Sequence, residues 1–555
     1  MHFRTLKELD TTEGTVLLFK ENLEGERHHG NNDLILFPQP SADPNDPLRW
    51  PRWRKNMAYA SVCAFACTNN ISGTVYSDVF VLISEHFNVS INEASGLIAW
   101  VILTLGVSNF IWVPSALYFG KRPVFILACA ITFAAAIWAA STDSFASLQA
   151  ACVVGGFGGG ASEALGAAII NDIYFLHERG SKMAWNLIML AFGSSLGPLI
   201  GGYLIESRGL KWGKWLSAIF LGVNLLMIIF FVPETRFNRT INPSPSNPPN
   251  QTTQASEPMQ ISETATDAEA SSGMDKSDNV HLEKSTSNTP STLFPTDPSI
   301  PRKPYLALLN PWSGTTPEES FFDLMFRPVP LIVYPACLMA TFIYSICLAP
   351  TVMVNVLSGS ILIPPPYNFN VGNVGLINIP GMIGQASGFI IGGVLIDRYS
   401  AYRARRNNGI FLPEERLALL FIPSALVFAG TVLFGFAAER QMHWAVIFVA
   451  YGLMSVGLTG VASIAMVYVC DSYFPVAAEC LELINGFKNI VAFGFIRGTV
   501  PWVESQGYEK AFGTIAGIFA AFVLLAIALV FWGPKIRHHT STHWRLISWE
   551  KAHIH

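Results

Sequence analysis

The stretch Gly193-Ser194-Ser195-Leu196-Gly197-Pro198-Leu199-Ile200-Gly201-Gly202 lies in a mostly apolar run, residues 183–205. A run of that length can cross a bilayer, which takes roughly 20 residues. Gly193, Gly197 and Gly201 recur every four residues, so on a helix they form one stripe without side chains. Such a stripe lets a second helix approach closely, as helices do where water supplies no hydrophobic drive between them. Pro198 removes a backbone donor and bends the helix. A smooth stripe beside a bend describes a membrane helix about which packed units can rock.

Eleven further runs of similar character flank this one. Those before the middle of the chain are 57–83, 94–117, 123–142, 145–171 and 213–232. Those after it are 329–357, 372–396, 417–438, 443–469, 478–502 and 511–532. The least apolar is 478–502, which carries Glu479, Glu482, Lys488 and Arg497. The expectation is an all-α integral membrane protein with twelve transmembrane helices in two six-helix pseudo-repeats. It divides into an N-terminal tail (1–56), a first bundle (57–232), a linker (233–328), a second bundle (329–532) and a C-terminal tail (533–555). Within the linker, 237–302 is rich in Ser, Thr, Pro and Asn, a composition that cannot bury enough apolar surface to offset its ordering entropy. It reads as a disordered cytoplasmic segment. The halves echo one another: Phe119-Gly120-Lys121-Arg122-Pro123 follows the second run, and Asp397-Arg398 with Arg403, Arg405 and Arg406 follows the eighth. Parallel repeats of this kind place a substrate site between the halves near the bilayer midplane.

Composition agrees. Of the 555 residues 51% are hydrophobic and only 13% are charged, against about 25% charged in soluble proteins. That excludes a soluble multidomain enzyme and a mainly disordered chain. The net charge of -4 gives no basic footprint for nucleic acid. Lys and Arg near the span ends set orientation. With the N-terminus inside, and leaving out the far N-terminus and the central loop, inside segments hold 17 of them. Outside segments hold five, namely Arg208, Lys211, Lys214, Arg440 and Lys510. Both termini are therefore expected in the cytoplasm, with the loop around Lys211 as the exception. Residues 1–46 are polar, with no apolar core of the length a signal peptide needs, so no cleavable signal is expected. The eight cysteines all fall in or at the ends of spans and read as small packing residues. Asn88-Val89-Ser90 is a sequon in the first outside loop and a candidate glycosylation site.

Polar groups deep in the bilayer are costly and usually face a cavity. Glu163, after the run Gly155-Gly156-Phe157-Gly158-Gly159-Gly160, is the clearest case. No partner for it stands on its own helix. It is expected to exchange a proton, to attract a cation, or to make a structural hydrogen bond to a neighbouring helix. In the eleventh run Glu479, Glu482, Asn485 and Asn489 share a face, and Glu482 and Asn485 are expected to reach a cavity. Lys488 lies off that line and is expected to pair with an acid on another helix. Asn69 and Asn70 lie at mid-depth in the first run. Asp78, near its outer end, is expected at a mouth that concentrates cations. Trp100, Trp112, Tyr344, Phe389 and Tyr451 are candidates for stacking on a cation. No histidine or cysteine spacing forms a metal site. No phosphate-binding G-x4-G-K-[ST] loop and no H-E-x-x-H or G-x-S-x-G motif is present, so neither an ATP-driven pump nor an enzyme is expected.

The stretch 193–202 matches G-x3-G-P-x2-G-G, and here the chain resembles the major facilitator superfamily, in particular the fungal branch of twelve-helix drug:proton antiporters. Asn45-Asp46-Pro47-Leu48-Arg49-Trp50-Pro51-Arg52-Trp53, Pro233-Glu234-Thr235-Arg236, Pro413-Glu414-Glu415-Arg416-Leu417 and Tyr468-Val469-Cys470-Asp471 resemble the same group. The resemblance implies a monomer in the plasma membrane. It would move a small-molecule substrate (an organic cation, a polyamine or a drug) by alternating access, with protons as the coupling ion and no cofactor. Uptake of a nutrient, or a sensor on the same scaffold, stays open. It also implies conformational roles for Gly193, Gly197, Pro198, Gly201 and Gly202, and for Lys121, Arg122, Asp397 and Arg398 in the cytoplasmic turns. Two departures stand out. The acid usual before the first basic turn is Leu117 here. The span-four pattern R-x-x-Q-G is replaced by Cys152 and Gly155 before Gly156, so the arginine linked to proton coupling is missing.

Overall fold

The computed structural model describes residues 43–237, 304–310, 320–407, 410–473 and 476–543, together with 16–17, 41 and 301. Almost all of the expected disordered segment, 237–302, lies outside the described residues. Among the described residues, twelve long helices carry the architecture. The first six are α1 (Arg52–Thr74), α2 (Ile91–Phe119), α3 (Lys121–Ser141), α4 (Phe145–Ile173), α5 (Leu176–Arg208) and α6 (Leu210–Phe231). The second six are α7 (Pro335–Leu362), α8 (Val371–Arg406), α9 (Glu414–Glu439), α10 (Trp444–Ser472), α11 (Ala477–Gln506) and α12 (Tyr508–His543). The one described departure from an all-α fold is a two-residue antiparallel ladder, Val16–Leu17 with Ile410–Phe411.

Ten of these helices are long and apolar enough to cross a membrane. The two others are α1 and α11, because α1 begins with Arg52, Arg54 and Lys55 and carries Asn69 and Asn70, and α11 carries Glu479, Glu482, Lys488 and Arg497. The helices least suited to lipid are thus the ones whose polar groups can build a site. Lipid-facing surfaces are apolar, as Val223, Leu226 and Phe230 on α6 and Leu524, Leu525 and Phe531 on α12 are all exposed. A contiguous patch of that kind needs a membrane to cover it.

Within each half the packing is close. α4 lies against α2 and α3, and α10 against α8 and α9, while α2 meets α11 across the halves. The glycine stripe does what its spacing implies: a Cβ at Gly193 would strike the Cys67 carbonyl, one at Gly197 the Thr74 hydroxyl and one at Gly201 the Val75 carbonyl. The stripe therefore seats α5 on α1, inside the first half. Gly202 faces the other way, with Gly372 of α8 at 3.5 Å from its would-be Cβ.

Two elements differ from the sequence expectation. The run 57–83 is not one helix, because α1 stops at Thr74 and a 3₁₀ turn, Ser77–Val79, and a helix, Phe80–Phe87, follow. Ser72, Gly73 and Thr74 are weak helix formers, and the break redirects Asp78. α8 is also interrupted, by a 3₁₀ turn at Gly375–Ile377 and a π-helical turn at Ile390–Leu395. At the start of α2 the Ser90 side chain accepts from the Glu93 N–H while Glu93 reaches back to the Ser90 N–H at 2.9 Å, a capping box. Asn88 is exposed just before it.

Candidate functional site

The site grows from α4. Its glycine run brings α2 and α3 to touching distance, since a Cβ at Gly156 would lie 2.6 Å from the Val101 carbonyl. Asn69 of α1 lies against Gly159 and donates to its carbonyl at 3.3 Å and to the Ser162 hydroxyl at 3.2 Å. That fixes the next residue, Glu163, in the buried interior. Its Oε1 accepts from Lys488 Nζ at 2.9 Å and its Oε2 from Asn489 Nδ2 at 2.9 Å, both on α11 of the other half. The two charged side chains are 5% and 4% exposed. The Lys488 ammonium also lies 4.9 Å from the centre of the Tyr344 ring. Glu163 is therefore one member of a buried ion pair joining the halves. Lys488, expected to pair with an acid on another helix, pairs with Glu163 of α4.

The pair lines a cavity of about 130 Å³, together with Asn69, Asn70, Cys152, Gly155, Tyr344, Asn355 and Tyr451. Three of its lining residues carry charge: Glu163, Lys214 and Lys488. Asn70 turns its amide back to the Ala66 carbonyl of its own helix at 2.9 Å. Glu482 and Asn485 are buried but do not line the cavity. They share a face with Asn489, as expected, but lie about 10 Å and 6 Å back along α11, where neighbouring helices close over that face. Both Glu482 carboxylate oxygens lack a hydrogen-bond partner among the described residues.

Asp78 is not at a mouth. It is 1% exposed, and it joins the halves at the end of the molecule where α1 ends, here the far end. Ser358 donates to one carboxylate oxygen and Asn378 to the other, each at 3.0 Å. Tyr451 donates to Asn355 at 3.0 Å beside them. Further out the Gly372 N–H donates to Glu206 at 2.8 Å, Tyr203 to Asn373 at 3.0 Å, and Arg497 to the Asn92 carbonyl at 2.9 Å.

At the opposite, near end, Ser181 of α5 donates to Asp397 of α8 at 3.2 Å, and Arg416 reaches Asp397 at 3.4 Å and Asp471 at 3.1 Å. Arg398, expected beside Asp397, is exposed, and Arg416 on α9 supplies the cation instead. Adjacent residues on a helix point about 100° apart, so adjacency in sequence does not place Arg398 on the face where Asp397 packs. Lys121 pairs with Asp172 at 2.6 Å, and Arg122 donates to the Val232 and Ile229 carbonyls at 2.5 and 2.9 Å. This basic turn clamps the end of α6 within its own half. Of the aromatic candidates, Tyr344 and Tyr451 line the cavity. Trp112 donates to the Phe157 carbonyl at 2.6 Å, Phe389 packs on Trp185, and Trp100 is partly exposed on the surface.

Two six-helix halves meeting around a central charged cavity define a secondary transporter. A sequence model of the Major Facilitator Superfamily matches residues 59–494. The chain belongs to that family, and it is an integral, multi-pass membrane transporter rather than an enzyme. It is 26% identical to the protein HOL1 of Saccharomyces cerevisiae over 539 residues, 91% of each chain. It is 22% identical to the MFS antiporter QDR3 of Candida albicans over 82% of this chain and 75% of that one. Among solved structures, the proton:xylose symporter XylE superposes with a TM-score of 0.54 at 12% identity, covering 87% of this chain and 96% of XylE. That likeness is one of fold.

Proposed function

We propose that this transporter moves a small organic solute by alternating access in exchange for protons, and that the Glu163–Lys488 pair is where solute and proton binding meet. The observation that carries the reading is a buried ion pair, 2.9 Å long, that joins the halves inside the cavity. Removing one partner of a buried pair leaves an uncompensated charge. A proton or a solute amine arriving at Glu163 must therefore coincide with the release of Lys488, and that release uncouples α4 from α11. An amine would find the carboxylate of Glu163 and the ring face of Tyr344, a pairing that suits the amine end of an organic solute. With Cys152 and Gly155 in place of the missing span-four arginine and its partner, coupling rests on Glu163. The antiporter-like glycine stripe and the antiporter relative support exchange. Lys and Arg placement supports cytoplasmic termini and linker (233–328), with the far end facing outside. On that reading Asn88 is open to a glycan in the plasma membrane.

The test is flux into proteoliposomes under an imposed pH gradient, using the best-stabilising solute from a thermal-shift screen of polyamines, other organic cations and drugs. Glu163→Gln should lose both flux and its pH dependence. Unchanged flux with an unchanged pH profile would sink the reading.

A further inference from the structure

Lys214 stands four residues into α6, where the sequence reading counts it among the outside loop charges. In the structure it is 4% exposed, and it lines the cavity that holds Glu163 and Lys488. Its Nζ donates to the Ser72 carbonyl at 2.6 Å and lies 4.9 Å from the centre of the Tyr76 ring. Among the described residues no carboxylate is within ion-pair distance of it. Lys211, one turn earlier, is the contrast: its side chain is 52% exposed and lies 2.5 Å from Asp143. An ammonium carries three protons, and the Ser72 carbonyl takes one. Burying a charge without a counter-ion is costly.

The charges of the cavity can be counted. Glu163 contributes one negative charge, Lys214 and Lys488 one positive charge each, so the lining carries +1. Glu163 and Lys488 neutralise each other, which leaves Lys214. A purely cationic solute would raise the positive charge of a closed cavity further. We propose that Lys214 is an anion subsite and that the solute is an aminocarboxylate, its carboxylate at Lys214 and its amine at Glu163.

Lys214 is held at Ser72 and Asn69 is bonded to Ser162, the neighbour of Glu163, so α1 runs past both charged points of the one cavity. Ala135, Ala136, Cys152, Gly155 and Gly156 also line the cavity and offer a methylene chain small, apolar neighbours.

This inference rests on the Glu163 cavity being the solute site, and the test separates the two. Binding of 4-aminobutyrate, 6-aminohexanoate and their methyl esters is measured on the purified full-length transporter by calorimetry. The free acid of one of them should bind wild type roughly tenfold or more tighter than its ester, the ratio expected for a hydrogen-bonded charge pair. Lys214→Met should erase that ratio and Lys214→Arg should keep it. Equal binding of acid and ester to wild type, which needs no variant, overturns the proposal. Binding of neither overturns it too, as does a ratio that survives in Lys214→Met because Lys214 only ties α6 to α1. If the esters bind and lose affinity in Glu163→Gln while Lys214 is indifferent, the anion subsite fails alone. If Glu163→Gln leaves the binding of acid and ester unchanged, the cavity reading fails with it.

Discussion

The contacts that join the halves at the centre and at the far end differ in their chemistry. At the centre two full charges meet, Glu163 and Lys488, both almost wholly buried. At the far end a buried charge, Asp78, is held by the neutral donors Ser358 and Asn378, and further out Glu206 and Arg497 are each bonded to a backbone group of the other half. The central contact cannot open without a substitute for one charge, because a lone buried ion is costly. The far-end contact can exchange its donors for water as it opens. The difference assigns the two places separate tasks. On the proposed function, the centre decides when the halves may part, and the far end holds them closed between events.

The largest effect should come from unbalancing the centre. Lys488→Met leaves Glu163 buried without its counter-ion and should lower stability by about 3–5 kcal/mol, read as a drop in melting temperature in detergent. Adding Glu163→Gln should restore most of it. A single variant as stable as wild type would remove the basis for treating the pair as a lock.

Next comes the far end. Asp78→Ala removes two hydrogen bonds to a charged group, each worth about 1.5–3 kcal/mol, and leaves the unliganded protein biased toward a far-end-open state. With Cys152 as the only cysteine retained, its reaction with a membrane-impermeant thiol reagent added outside should speed up by roughly tenfold or more. An unchanged rate would show that the Asp78 cluster does not hold the far end shut.

The glycine stripe offers a smaller and graded contrast. Gly197→Ala pushes a Cβ onto Thr74 and within 2.9 Å of the Ile71 carbonyl, an overpacking of about 1–3 kcal/mol. Gly202→Ala meets ordinary contacts at 3.5 Å and should change stability by less than about 0.5 kcal/mol. Equal losses would contradict a stripe that serves the α1–α5 seam alone. The smallest effect is expected at the surface. Lys211→Gln breaks a mostly exposed pair with Asp143 and should stay within about 1 kcal/mol of wild type, while Lys214, three residues on, governs ligand choice.

The spans were legible because bilayer crossing imposes length and apolarity on each helix by itself. Glu163, Lys488, Asn69 and the glycine stripe could be singled out for the same local reason, as polar groups or gaps in apolar runs. Their partners could not. Glu163 and Lys488 are 325 residues apart, and helical periodicity gives only the face a residue shares with its own neighbours. For that reason Glu482 and Asn485, on the face of Asn489, were expected in a cavity that ends before reaching them. Asp78 was expected at a mouth because the run 57–83 stays apolar enough to read as one span, and the weak helix formers Ser72, Gly73 and Thr74 do not by themselves announce the break. Lys214 was missed because it sits near a helix end, where a lysine normally reaches water. A signal was present, since the excess of positive charge in that one outside loop is relieved once Lys214 is moved into the cavity.

The most direct test of the central claim is a double-mutant cycle on pH-driven flux in proteoliposomes, with wild type, Glu163→Gln, Lys488→Met and the double variant. If the pair is one switching element, each single change lowers flux by at least about tenfold and the double variant is no worse than the poorer single. Losses that multiply in the double variant, or a single variant with wild-type flux, would contradict it.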